Sequence, residues 1–250
     1  FQYRFQAADV SGVIATAHAE VAHYIDEADE MLGDRRLRVK AIVNGTHEGW
    51  RNFDEELMNY PDTMERVPTK ADELHLMYFT SGTTGRSKGV MLSERNFFSV
   101  MRAHVQIGER MMEYKHDPEL VVSQYTVLPM FHLGAFIDLF STTIMGWPLN
   151  LGNDIRNFYR DIQKMPSQIM SMVPMIMNSL HKDVMRGRKE RLGELWVPIC
   201  SSAMFDPQVM LDMATNGMFV VQTYGATETC GDGIINYAQD AKHIGAVGQG

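Results

Sequence analysis

Short apolar runs alternate with amphipathic stretches along this chain, and that alternation sets the fold class. Val13-Ile-Ala-Thr-Ala reads as a buried strand. From Glu20 to Leu32, the residues Val21, Tyr24, Ile25, Ala28 and Leu32 fall at helical spacing, with Gly33 placed to end the helix. Val39-Lys-Ala-Ile-Val supplies a second strand, so residues 1–51 read as a βαβ unit and imply a parallel sheet. The same alternation returns downstream. Leu74–Thr80 and Gly89–Leu92 read as strands, and Ser93 caps a helix carrying Phe97, Val100, Met101 and Val105. Asp206-Pro207 opens a helix, Asn216-Gly217 closes it, and Met218–Thr223 follows as a strand. The expectation is an α/β protein with parallel or mixed sheets flanked by helices. Polar residues 52–73 read as a loop or linker, and residues 74–250 as one larger part.

Composition removes several function classes. With 250 residues, 45% hydrophobic and 22% charged, the chain is neither disordered, collagen-like nor a repeat array, and it can bury a core. A formal charge of -8 argues against nucleic acid or an anionic membrane as principal partner. Two cysteines, Cys200 and Cys230, make no disulfide framework, and a cytoplasmic location is expected. The apolar stretch from Val121 to Leu151 is broken by Pro129, His132, Asp138 and Pro148, so it is not read as a membrane span. A start at Phe1 and a close in Gly245-Ala-Val-Gly-Gln-Gly lead us to expect a piece of a longer protein.

The densest chemical signal is Tyr78-Phe-Thr80-Ser81-Gly82-Thr83-Thr84-Gly85-Arg-Ser-Lys88-Gly89, between two strands. Glycines let backbone amides approach an anion, hydroxyls donate, and lysine brings charge. Composition leaves two readings open, a polyphosphate cradle and an ordinary hairpin loop. A Walker-type loop is excluded by counting, because Ser87 stands four residues after Gly82 and Lys88 is followed by glycine.

Residues 78–90 resemble the phosphate-loop signature of the adenylate-forming enzymes: acyl-CoA synthetases, luciferases and nonribosomal adenylation domains. Phe79 is an insertion and Ser87 replaces the usual proline. A second match, Tyr224-Gly225-Ala-Thr227-Glu228, resembles the family's Tyr-Gly-x-Thr-Glu. The resemblance implies that the tyrosine ring stacks on adenine, the threonine meets the nucleotide phosphate and the glutamate helps hold Mg²⁺. Leu128-Pro-Met-Phe-His132 resembles the Pro-x-x-His element beside the carboxylate site, and Ser201-Ser202-Ala203-Met204 stands where relatives carry Gly-Gly-Ala-Pro under the adenine. On this resemblance Lys88, His132 and Glu228 are the candidate catalytic residues. Thr80, Ser81, Gly82, Thr83, Thr84, Gly85, Lys88, Ser202, Ala203, Tyr224, Gly225 and Thr227 would bind nucleotide, and Thr80 with Glu228 would hold the metal. The family's ribose-binding Thr-Gly-Asp and its small C-terminal domain are expected to be absent.

The implied reaction uses ATP, Mg²⁺ and CoA: a carboxylate becomes an acyl-adenylate, and a thiol then displaces AMP. No carboxylate follows His132, since Leu133 and Gly134 stand there, so no α-ammonium is expected. Met170, Met172, Met175 and Met177 suggest an adaptable apolar pocket and a medium- or long-chain fatty acid. An aryl-acid or carrier-protein ligase and a non-catalytic nucleotide-binding module are the alternatives. The basic run from Lys182 to Arg191 could meet CoA phosphates or be a solvated helix face.

Overall fold

The computed structural model describes residues 1–18, 20–81, 85–201 and 203–248. They form two compact units, one of residues 1–70 with 77–90 and one of 71–76 with 91–250.

The first unit opens with helix α1 (Gln2–Ala7), followed by strand β1 (Gly12–Thr16), helix α2 (Val21–Glu30) and strand β2 (Val39–Val43). β1 and β2 pair in parallel, with Ile14 opposite Ala41, as a βαβ unit requires. A two-residue strand β3 (Arg51–Asn52) extends the sheet on the far side of β2. Phe5, Ile25, Ala28 and Leu37 form its apolar centre. Asp26 of α2 ties the unit together: its carboxylate accepts from Lys40 Nζ at 2.7 Å and Trp50 Nε1 at 2.9 Å, with His47 Nε2 at 2.7 Å. The stretch read as a loop contains one short helix, α3 (Phe53–Leu57). Asn52 starts it by accepting from the N–H groups of Asp54 and Glu55, a side-chain cap ahead of three acidic residues that suit a helix N-terminus. Strands β4 (Leu74–Thr80) and β5 (Lys88–Ser93) pair as a two-stranded ribbon, and its tip, residues 77–90, belongs to this unit.

The second unit carries a six-stranded sheet. Its strands are β6 (Gln124–Thr126), β7 (Leu149–Leu151), β8 (Ile169–Met172), β9 (Val197–Cys200), β10 (Val221–Ala226) and β11 (Gly231–Asn236). They lie in the order β11-β10-β9-β8-β6-β7, parallel except for β11. Helix α4 (Glu94–Lys115) precedes β6, and α5 (Leu133–Met145), α6 (Phe158–Lys164), α7 (Pro174–Met185) and α8 (Pro207–Thr215) connect the strands. Ser93 caps α4 by accepting from the Asn96 N–H, while Asn96 Oδ1 accepts from the Ser93 N–H. Its buried stripe runs Phe97, Val100, Met101, His104, Ile107, Met111, so a histidine takes a position expected to be apolar.

Strand periodicity separates two cores. Met170 and Met172 of β8 pack with α6, α7 and α8, whereas Ile169 packs on the opposite face with Ile107 and Met111 of α4. Both faces of the sheet are therefore covered, and β8 and β9 are buried throughout, as parallel strands between helical layers must be. The α/β class with parallel and mixed sheets is borne out.

A candidate nucleotide and acid site at the carboxyl edge of the sheet

In a parallel sheet all strands end at one edge, and ligands bind beyond those carboxyl ends. A cleft of about 250 Å³ opens there in the second unit. His132 reaches it from the loop after β6, Met172 from the end of β8, Ser201 from the end of β9, and Gly225, Ala226 and Thr227 from the end of β10. β11 is antiparallel, so it begins where the others end, and its Gly231 and Asp232 line the same cleft.

Four residues shape the turn between β10 and β11. Thr229 Oγ1 accepts from the Ala226 N–H at 2.9 Å and lies 3.0 Å and 2.8 Å from the carbonyls of Ala226 and Gly231. Cys230 adopts a left-handed φ of 61° and Gly231 a φ of 100°. Gly225 sits at a register shift where a Cβ would run into the Gly231 carbonyl and lie 2.9 Å from Asp232 Cα. Only glycine allows this close approach. The turn leaves Tyr224 61% exposed, which suits a ring that stacks on a planar ligand, and holds Glu228 exposed beside half-buried Thr227.

His132 caps α5. Its Nδ1 accepts from the Gly134 N–H at 3.0 Å, so the neutral ring carries its proton on Nε2, a donor at the cleft. Expected behaviour for a histidine beside an apolar run is burial, but this ring is exposed. Ser201 lines the cleft and its N–H donates to the Met172 carbonyl at 3.2 Å, while Ala203 is exposed. Burial pushes the neighbouring Cys200 thiol up, away from a reactive thiolate.

The phosphate-loop candidates belong to the first unit. Thr80 ends β4 half-buried, Ser81 and Lys88 are exposed, and Gly85 takes a φ of 88° with open space where a Cβ would stand. Helix α1 holds the loop's descending side: the Tyr3 hydroxyl donates to the Ser87 carbonyl at 2.9 Å, and the Arg86 guanidinium lies 5.5 Å above the Tyr3 ring. Gly82, Thr83, Thr84 and Ser202 lie outside the described residues. Glu228 is an exposed carboxylate, a hard oxygen donor of the kind that suits Mg²⁺ shared with substrate phosphates. Among the described residues no group of three His, Cys, Asp or Glu side chains could hold a metal alone.

Three titratable residues of the cleft had no functional role in the sequence reading: His104, Asp138 and Asp232. Asp138 stands one helical turn beyond Gly134 on α5, 2% exposed. Its Oδ1 accepts from Gln124 Nε2 at 2.6 Å and Ser171 Oγ at 2.9 Å. Burial, opposed by contacts with Thr126, Ser171, His104 and Gln124, pushes its carboxyl up to about 6. His104 Nε2 lies 3.2 Å from Asp232 Oδ2. The signal was available as an acid and a histidine on the apolar stripes of two helices.

Two other features move away from the site. Met170 and Met177 are fully buried in the core and Met175 is 65% exposed; of the four methionines only Met172 lines the cleft. Within the basic run, Arg188 and Arg191 serve buried Asp183, at 2.5 Å and 3.2 Å from its Oδ1.

The family model described as "AMP-binding enzyme" matches residues 1–250. The chain belongs to that family. It is 26% identical over 223 residues to fatty acyl-CoA synthetase B of Dictyostelium discoideum, covering 74% of this chain and 33% of that protein. It is 29% identical over 173 residues to 2-succinylbenzoate–CoA ligase of Bacillus licheniformis, covering 68% and 34%. The chain thus spans about a third of the length of these two relatives. An anthranilate CoA ligase solved with anthranoyl-AMP shares the fold with a TM-score of 0.77 at 16% identity, covering 99% of this chain and 46% of that one. The O-succinylbenzoate CoA synthetase of Bacillus subtilis, solved with ATP and magnesium, gives 0.69 at 16% identity, covering 99% and 46%. Among the described residues no helix of this family member is long and apolar enough to cross a membrane.

Proposed function

We propose that this chain supplies the nucleotide- and acid-binding part of an ATP-dependent, AMP-forming acid–CoA ligase. One observation carries the reading: His132, Ser201 and the Gly225–Thr227 turn, three separate motifs of the sequence, converge on one cleft at the carboxyl edge of the sheet. In the first half-reaction a carboxylate oxygen attacks the α-phosphorus of ATP and pyrophosphate leaves. In the second a thiolate attacks the acyl carbonyl and AMP leaves.

Each residue has a defined task in this reading. His132 Nε2–H donates to the acid's carboxylate and orients it. Tyr224 offers its exposed face to the adenine, and Thr227 donates to the nucleotide phosphate. Lys88, Thr80, Ser81 and the loop amides gather the polyphosphate and spread the charge that develops when two anions meet. Glu228 would hold Mg²⁺ through its carboxylate, with Thr80 a candidate hydroxyl ligand from the phosphate loop, and the cation would neutralise phosphate charge.

For the acid, the names of several relatives support a fatty acid, whereas the methionines that suggested one lie mostly in the core. A cleft of about 250 Å³ is small beside ligand pockets of roughly 300–1,000 Å³. Its floor of His104, Asp138, Ser171 and Asp232 is polar. Both properties favour a compact acid over a long acyl chain. The test is ATP–pyrophosphate exchange over a panel of fatty and aryl acids, using the natural polypeptide that contains these residues, with CoA thioester formation measured in parallel. Exchange that no carboxylic acid supports would sink the ligase reading.

A further inference from the structure

The short helix α1 grips the ribbon that carries the phosphate-loop candidates, and the proposed reaction gives it no task. Phe5 is 8% exposed and packs with Ile25, Ala28 and Leu37, so α1 is rooted in the core of the first unit. Tyr3 and Arg4 stand just before it and meet the ribbon. The Tyr3 ring meets Phe79 of β4 edge-on at 6.4 Å, and the Arg4 guanidinium lies 5.6 Å above the same Phe79 ring. The Arg86 guanidinium covers the Tyr3 ring at 5.5 Å. Across 84 positions of sequence, the Tyr3 hydroxyl donates to the Ser87 carbonyl at 2.9 Å. A two-stranded ribbon is marginal by itself, and α1 gives this one a second support.

The gripped carbonyl matters because of the peptide it belongs to. The Ser87–Lys88 unit is planar and trans, so a carbonyl held toward Tyr3 turns the Lys88 N–H to the opposite side. The same plane fixes the point from which the Lys88 side chain departs. Lys88 is exposed and opens β5, so its own surroundings do little to hold it. Just upstream, Gly85 takes a φ of 88° with open space around it, the most permissive backbone of the segment. A long, flexible lysine stem with a loose root would spread its ammonium over many positions. The Tyr3 hydroxyl therefore acts on the one described residue between Gly85 and Lys88 whose carbonyl leads directly into the lysine.

We propose that Tyr3 is a positioning residue for Lys88: its hydroxyl, through the Ser87 carbonyl, sets where the lysine meets the polyphosphate of ATP. The inference rests on the ligase reading for what Lys88 binds. Tyr3 acts through the Ser87–Lys88 peptide and not on the substrate. Loss of the hydroxyl should therefore be felt by ATP and not by the acid.

The decisive variant is Tyr3→Phe, which keeps the ring against Phe79 and Arg86 and removes only the hydroxyl. Calorimetric binding of Mg–ATP and ATP–pyrophosphate exchange are measured on the natural polypeptide containing these residues. Wild type, Tyr3→Phe, Lys88→Ala and the double variant are compared, and the unfolding midpoint of each reports whether the fold survives. Tyr3→Phe should weaken Mg–ATP binding and raise the KM for ATP by about three- to tenfold, the range of one neutral hydrogen bond, with the KM for the acid unchanged. In the Lys88→Ala background the same change should alter ATP affinity by less than about twofold, because residues that act as one unit are not additive. A folded Tyr3→Phe that binds Mg–ATP like wild type overturns the proposal. So does a loss of equal size with and without Lys88, since Tyr3 would then support the unit as a whole. If ATP binds with the expected coupling but no acid supports exchange, the ligase reading fails and the role of Tyr3 stands. Wild type that binds no Mg–ATP overturns both.

Discussion

Replacing Gly225 by alanine would place a methyl group where the Gly231 carbonyl already stands, with Asp232 Cα at 2.9 Å behind it. Both obstacles are backbone, so no rotamer change relieves the overlap. Overpacking in a core costs about 1–3 kcal/mol, and the upper end or more applies when the neighbour cannot swing away. For a chain of 250 residues each kcal/mol moves the melting temperature by about 2–4 °C, so Gly225→Ala should melt roughly 6–12 °C below wild type. Gly233, eight positions on in the same ribbon, is the control. A Cβ there meets nothing closer than Thr229 Cβ at 3.8 Å, so Gly233→Ala should be neutral or slightly stabilising. Differential scanning calorimetry of the three proteins settles the matter. A Gly225→Ala melting point within about 2 °C of wild type would show that the close approach of β10 and β11 is not what fixes glycine there.

Lys88→Ala and Glu228→Ala should each lower pyrophosphate exchange by about 10²-fold or more, because each removes charge stabilisation where charge develops, while both residues are exposed and circular dichroism melting should barely move. Asp206 caps α8 by accepting from the Gln208 N–H at 2.8 Å, so Asp206→Ala should cost about 1 kcal/mol in urea unfolding. Asp138 has its carboxyl raised from 3.8 to about 6, so the native state holds a proton that the unfolded chain releases. That contribution is fully present below about pH 4 and is lost as pH rises through 6; relative to Asp138→Asn, wild type should lose about 1 kcal/mol between pH 5 and 7.5. Equal pH slopes for the two proteins in urea titrations would remove Asp138 from this account.

Much of the fold was legible because hydrophobic period and punctuation agree. The βαβ opening, the Ser93 cap and the Asp206-Pro207 start all follow from local rules that tertiary packing did not override. Shorter elements escaped. α3 is one helical turn whose cue is the single Asn52, and β3 is a two-residue edge with no pattern to read. The lining of the cleft was legible where the sequence carries contiguous motifs, at His132 and at Gly225–Thr227. It was not legible at His104, Asp138 and Asp232, which meet only because α4, α5 and β11 converge on one strand edge. The methionine run misled because a flexible apolar residue suits a core as well as a ligand pocket, and only burial on a given face of β8 and α7 separates the two.

The reversed direction of β11 has a mechanical meaning. The hairpin turn that carries Thr227 and Glu228 also joins the last two strands of the sheet, so anything that grips the turn is joined in series with the terminal strand β11. Occupancy should then be felt at a distance. Amides of Ile234 to Asn236, on the strand paired with β10, should exchange their hydrogens more slowly when nucleotide fills the cleft. Binding would thus be recorded as a stiffening of the rim, several residues from any atom the ligand touches.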